Sequence, residues 1–159
     1  QGSTKYLLHT IKKTLIDQYS QTWHTQLQNS SKGINYSLFK DRIQLEDYLL
    51  KLSKKDYLTL VKYRTSNHYL PVETGRWNRT DISERKCLLC NKNDTGDELH
   101  YLLTCHFFND SRLQNVPRFY HNNPNILKFK QLMNTNSRPL LVRLCKFIRI
   151  IMETLKQLY

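Results

Sequence analysis

Three of the chain's four cysteines fall between positions 87 and 105, with a histidine between the second and third. The spacing is Cys87-x2-Cys90-x9-His100-x4-Cys105. No other feature limits the fold as much, because four donors converging on one ion clamp two short segments together and supply folding energy directly. The two-residue gap lets the Cys87 and Cys90 thiolates face one ion about 2.3 Å away. Three thiolates and an imidazole suit zinc in a tetrahedral set. With all four positions taken by protein atoms there is no bound water to activate, so the expected Zn2+ is structural. His106 is a rival fourth ligand and Cys145 a lesser one, and ordinary buried cysteines are the plain alternative. An ideal α-helix would turn His100 and Cys105 about 140° apart. The helix carrying His100 is therefore expected to end or tighten near Leu103-Thr104. Thr95 and Glu98 offer a capping-box pair for its start.

Charge comes next. The net charge of +12 predicts attraction to a polyanion, nucleic acid first and an anionic membrane surface second. Its distribution is uneven. Residues 111–159 hold nine Lys/Arg against one acid, Glu153, whereas residues 87–110 hold one base, Lys92, against Asp94, Asp97, Glu98 and Asp110. The cysteine-rich stretch is acidic and the positive charge lies outside it. No apolar run approaches the roughly 18 residues a membrane span needs, and no signal peptide is visible. The cysteine clustering suits a reducing compartment, so the expected location is intracellular, nuclear and/or cytoplasmic. Sequons such as Asn78-Arg79-Thr80 then read as chance.

With four glycines and four prolines in 159 residues, long helices are favoured over a many-stranded sandwich. The expected fold is mostly α: a small helical domain with an inserted zinc-binding loop–helix module and little or no β. Residues 1–3, Gln-Gly-Ser, read as the remnant of a removed tag. Residues 4–63 form an N-terminal helical region, 64–112 the loop plus CCHC zinc module, and 113–159 the C-terminal basic helices, all in one compact domain. Within them, Leu7, Leu8, Ile11, Leu15, Tyr19, Trp23 and Leu27 follow a helical period over 4–28. Residues 34–39 read as extended. Two helices follow, 46–52 and 53–63, the second opened by Ser53 and Asp56. Residues 64–83 show no period and read as a loop with at most a short strand. Asn123-Pro124 starts a helix through Met133, and Ser137-Arg138-Pro139 a long last one. In that last helix Leu140, Leu144, Phe147, Ile148, Ile151, Leu155 and Leu158 form one face and Arg143, Lys146, Arg149, Glu153 and Lys156 another.

Candidate nucleic-acid contacts cluster before the cysteines: Arg64, Asn67, His68, Arg76, Trp77, Asn78, Arg79, Arg85 and Lys86. Guanidinium, amide and indole groups together suit phosphate contact with base stacking. The basic stripe Arg143, Lys146, Arg149 is a second candidate, as a phosphate-facing ridge. Each has a plainer structural reading. Trp77 would pack against the finger, Arg76 would pair with Glu73, and His68 would pack or cap. Arg79, Arg85 and the stripe would simply be solvated.

The stretch YRTSNHYLPVETGRWNRTDISERKCLLCNKNDTGDELHYLLTCHFFNDSR, residues 63–112, resembles the C-terminal region of non-LTR (LINE-like) retrotransposon reverse transcriptases. The specific parts are the cysteine spacing with DELHYLLTC and the preceding ETGRW; FKDRIQLEDYLL before and PNILKFKQLM after extend it loosely. The resemblance implies zinc ligands Cys87, Cys90, His100 and Cys105, and a parent polyprotein with endonuclease and polymerase. The segment itself would help hold template RNA or target DNA. A polymerase would need paired catalytic aspartates on a hairpin, which this chain lacks, so the expected fragment is not an enzyme. The expected function is a non-catalytic zinc-stabilised module binding RNA and/or DNA, in a retroelement polyprotein or a host-adopted derivative. No small-molecule substrate and no membrane are expected; other domains of the parent are further candidate partners. The alternative is a protein-interaction domain docking on a polymerase or host factor. A zinc hydrolase using Asp97 or Glu98 is disfavoured by the four ready protein ligands.

Overall fold

The computed structural model describes residues 2–159. It is 68% helical with 1% strand and no sheet, a mostly-α fold as expected. The chain divides into two compact units, residues 2–44 and 45–159. The division falls inside the expected 4–63 region. No described helix is long and apolar enough to cross a membrane.

The first unit is α1 (Gly2–Asn29) followed by α2 (Gly33–Ser37). The long periodic helix is present and includes Gly2 and Ser3. None of its residues is buried. Residues 34–39, expected to be extended, are mostly helical instead. The reason is local: a lone strand has no partner for its N–H and C=O groups, and a helical turn satisfies them within five residues.

The second unit is built around α9 (Arg138–Lys156), with α3 (Asp47–Lys51), α4 (Lys54–Arg64), α5 (Pro71–Trp77), α6 (Asn109–Asn115), α7 (Arg118–His121) and α8 (Ile126–Met133). α9 buries Leu140, Leu144, Phe147, Ile148, Ile151 and Leu155 as its period predicts, and Leu141 and Cys145 beside them; Leu158 is exposed. α4 packs along it, joined by Arg149 Nη1 donating to Asp56 Oδ1 at 2.7 Å. Ser53 caps α4 as expected, accepting from the Asp56 N–H and donating to its carboxylate. Asn125 caps α8 by accepting from the Lys128 N–H.

The expected loop 64–83 contains a helix, α5. Pro71 stands at its first turn after an extended Leu70, the geometry a residue before proline prefers. Gly75 lies inside it. A Cβ there would sit 2.5 Å from Arg85 Cγ, so the glycine serves the close approach of Arg85. α5 ends in a Schellman arrangement. Thr80 N–H bonds the Gly75 carbonyl and Arg79 N–H that of Arg76, with Arg79 left-handed at φ 57°.

Candidate metal centre

The Cys-x2-Cys segment is one arm of a small hairpin. Lys86 bridges Thr95 in antiparallel sense, and the Cys87 N–H donates to the Asp94 carbonyl at 2.9 Å. Asn93 takes the left-handed turn, φ 57°, which its side chain tolerates well. The Leu89 N–H points back to Cys87 Sγ at 3.4 Å, the amide support expected inside a two-residue cysteine gap.

The other two donors come from one widened helical turn. His100–Thr104 is a π-turn, closed by the Cys105 N–H donating to the His100 carbonyl at 2.7 Å. The helix ends where expected but widens rather than tightens. In an i→i+5 turn, residue i+5 returns beside residue i, and His100 and Cys105 face the same side. The expected Thr95–Glu98 capping box is not formed. Asp97 caps instead, its carboxylate accepting from the His100 N–H at 2.8 Å, while Glu98 turns into the interior.

The result is a cluster of Cys87, Cys90, His100 and Cys105 whose ligand atoms all lie within 4.8 Å of one another, an arrangement that could hold a metal ion. Cys87 and Cys105 sulfurs are 3.8 Å apart, and Cys90 Sγ is 3.4 Å from His100 Nε2. His100 Nδ1 lies 2.9 Å from Thr104 Oγ1 and 3.4 Å from an Asp94 carboxylate oxygen. With the ring proton on Nδ1, Nε2 presents its lone pair to the cluster. The Cys105 sulfhydryl is the main influence holding the Cys87 thiol down, to about 3; burial opposes it, and His100 and the Tyr101 hydroxyl assist. Cys105 is pushed up in turn, first by Cys87 and then by burial. Neither rival ligand belongs to the cluster. His106 is exposed one residue past Cys105, and Cys145 lies buried in α9, its thiol pushed up to about 12 by burial first.

Arg112 was not singled out by the sequence, where it is one arginine among many. It is buried, donating through Nε to the Leu102 carbonyl at 2.8 Å and through Nη2 to the Cys105 carbonyl at 2.6 Å. It clamps the end of the π-turn and places a cation near the sulfurs. A second buried knot joins this turn to α4. Glu98 Oε1 accepts from Ser66 Oγ at 2.7 Å and meets His68 Nε2 at 2.8 Å, while the Tyr63 hydroxyl donates to the Glu98 carbonyl at 2.6 Å. Burial alone would raise the Glu98 carboxyl, but His68 and Ser66 outweigh it and hold it below its ordinary value. Gly96 lets the hairpin touch α5, since a Cβ there would meet Pro71 Cγ at 2.7 Å.

The expected nucleic-acid residues separate into two groups. Arg64 and His68 are interior, at 1% and 3% exposure. Arg64 pairs with Glu46 and lies over the Tyr48 ring; His68 belongs to the Glu98 knot. Neither faces solvent, because both lie where the end of α4 turns inward. Arg85 is half-buried and donates to the Val72 and Thr80 carbonyls, and Lys86 is half-buried in the hairpin. Arg76 pairs with Glu73, as its plainer reading held. Asn67, Trp77, Asn78, Arg79, Arg143 and Lys146 are exposed, and Arg149 is half-buried in its pair with Asp56. No family model, no curated protein and no solved structure matches the chain.

Proposed function

We propose that the chain is a zinc-stabilised, non-catalytic nucleic-acid-binding module of a retroelement-type reverse transcriptase polyprotein or a host-adopted derivative, working inside the cell. Cys87, Cys90, His100 and Cys105 hold the ion, which contributes a structural clasp. The spacing supports zinc. A tetrahedral ion with about 2.3 Å bonds to sulfur and about 2.0 Å to nitrogen places sulfurs roughly 3.8 Å apart and sulfur from nitrogen roughly 3.5 Å. Cys87 and Cys105 stand at 3.8 Å and Cys90 and His100 at 3.4 Å, and all four donors lie within 4.8 Å of one another. Three thiolates and a neutral imidazole leave such a site one negative charge, and the nearby Arg112 offsets it.

The observation that carries the reading is the separation of clasp and charge. The donor cluster sits in the acidic stretch, mostly buried, whereas Arg79, Arg143 and Lys146 stand exposed outside it. Surface cations of that kind neutralise phosphates without reading sequence. The test is binding to RNA and DNA oligonucleotides across a salt titration, with metal content by mass spectrometry. The reading expects one zinc per chain and affinity that falls steeply with salt. It expects at least a tenfold loss when Arg79, Arg143 and Lys146 are reversed to Glu together. Affinity that does not fall with salt, or no binding of the wild type to any oligonucleotide, sinks it.

One observation favours a second, protein-docking role. Leu7, Leu8, Ile11, Leu15, Ile16 and Tyr19 are all exposed on α1. Such an apolar stripe fits docking on another domain of the parent or a host partner. Loss of partner capture on Leu15→Glu/Ile16→Glu, with nucleic-acid affinity unchanged, would separate the two roles.

A further inference from the structure

α4 and α9 do not close against each other along their whole length. Toward the C-terminal half of α9 they leave a groove of about 560 Å³. Its rims carry Lys55 and Lys62 on α4, and Arg149 and Lys156 on α9, against one acid, Glu153. On each rim the two cations are seven residues apart, two helical turns or about 10 Å. Arg149 is paired with Asp56, while the three lysines are exposed. The floor includes Leu58 and Met152, with Leu58 40% exposed. Asn67 and Tyr69 line the groove where the chain leaves α4.

Tyr69 also belongs to an aromatic cluster. Its ring meets Trp77 edge-on at 5.7 Å and Tyr159 at 6.4 Å. All three rings are substantially exposed, Trp77 at 48%. The cluster is braced, because the Tyr159 hydroxyl and Thr74 Oγ1 are 2.8 Å apart in a hydrogen bond. Exposed but fixed aromatic faces beside a cationic groove are the two parts of a stacking platform for unpaired bases. A duplex would use the lysines alone, since its bases are already stacked on one another.

We infer that the α4–α9 groove and the Tyr69–Trp77–Tyr159 cluster at its end bind a single strand of nucleic acid, phosphates along the lysine rims and bases against the rings. The inference rests on the nucleic-acid reading above and names the strand state and the residues. Of these, Lys55, Lys62, Tyr69 and Tyr159 were not among the sequence candidates, and Lys156 lies on the basic face of α9. The Asn67 amide stands at the junction of groove and cluster, where it can meet a base edge.

The experiment is fluorescence anisotropy of the zinc-loaded protein with labelled 15-nucleotide oligo-U and oligo-dT, and with a duplex of equal length. Melting curves of each variant exclude unfolding. The wild type should bind the single strands at least tenfold tighter than the duplex. Lys55→Glu/Lys62→Glu/Lys156→Glu should lose tenfold or more and flatten the salt slope by about 2, at roughly 0.7 per phosphate contact. Tyr69→Leu/Trp77→Leu should lose at least fivefold with the slope unchanged, because stacking is not a counterion effect. Lys130→Glu, exposed on α8, is the single-charge control and should stay within twofold. Equal binding of duplex and single strand overturns the inference, as does full affinity in either multiple variant. If the Arg79/Arg143/Lys146 reversal abolishes binding while the groove variants keep it, the groove is refuted and the nucleic-acid function stands. No binding by the wild type to any oligonucleotide refutes both.

Discussion

α1 and α9 are the two long helices, both written with apolar residues at helical spacing, and they end in opposite circumstances. α9 buries eight side chains and is the axis of residues 45–159. α1, nine residues longer, buries none. A helical period shows that a helix has an apolar face; it does not show what covers that face. α9 has α3, α4, α6 and the π-turn of the metal centre against it. Ser66, Arg79, Asn93 and Asn123, the described non-glycine residues with left-handed backbone, all lie in the second unit.

The largest predicted effect is metal removal. Structural zinc in small domains carries apparent binding energies of about 10–16 kcal/mol, comparable with the whole stability of a domain this size. Chelation should unfold the 85–112 region and loosen α9, seen as loss of amide exchange protection there. The exposed α1 should exchange fast before and after. Protection of α9 that survives complete zinc loss would show that the core, and not the clasp, decides the second unit.

Next come truncations in the two helices. Phe147 is fully buried and stacks edge-on against Phe108, itself against Tyr101. Phe147→Ala should cost about 3–5 kcal/mol in denaturant unfolding. Leu15→Ala in α1, at 59% exposure, should stay within about 0.5 kcal/mol. A large cost at Leu15 would mean that the α1 face is covered in solution.

Acid should act on the α4–α9 seam. Burial would raise the Asp56 carboxyl, but the hydrogen bonds from Arg149 and Ser53 outweigh it and hold it below its ordinary value. A carboxyl lowered in the folded state adds stability above its unfolded pKa, near 4. That stability is lost as pH falls through the folded value. Asp56→Asn should therefore cost about 1–2 kcal/mol at pH 7 and flatten the loss of stability below pH about 4. The smallest effect is expected at the end of α5. Arg79→Gly relieves a left-handed arginine and should add about 0.5–1 kcal/mol of stability, seen as a small rise in melting temperature. No gain there would mean that Arg79 is held by contacts rather than strained.

Much of the local structure was legible. Ser53 and Ser137-Arg138-Pro139 announce helix starts because a cap bond or a proline ring acts within three residues, whereas the helix expected from Asn123-Pro124 begins only at Ile126, after the Asn125 cap. α5 was missed because its seven residues are too few for a period and carry a proline and a glycine, the usual marks of a loop. The candidate metal donors were legible as a set because three cysteines and a histidine at that spacing are the residue types a tetrahedral site takes. The widened turn that aligns His100 with Cys105 was not, since nothing in HYLLT distinguishes a π-turn from an α-turn until both donors must meet one point. Arg112 and Glu98 carry no signal either. Their partners lie up to 35 residues away, at Tyr63, and burial alone separates them from surface charges.

By itself, the sequence determined the helical class, most helix starts, the donor set and the excess of positive charge, all properties of residue type and near-neighbour spacing. Only the tertiary structure decided which cations face water. Arg64 and Arg112 went inside, Arg149 turned to Asp56, and Lys55, Lys62 and Lys156 came together across two helices about a hundred residues apart in sequence. The physical reason is that a side-chain charge is written in one position, whereas its exposure depends on which helix faces meet.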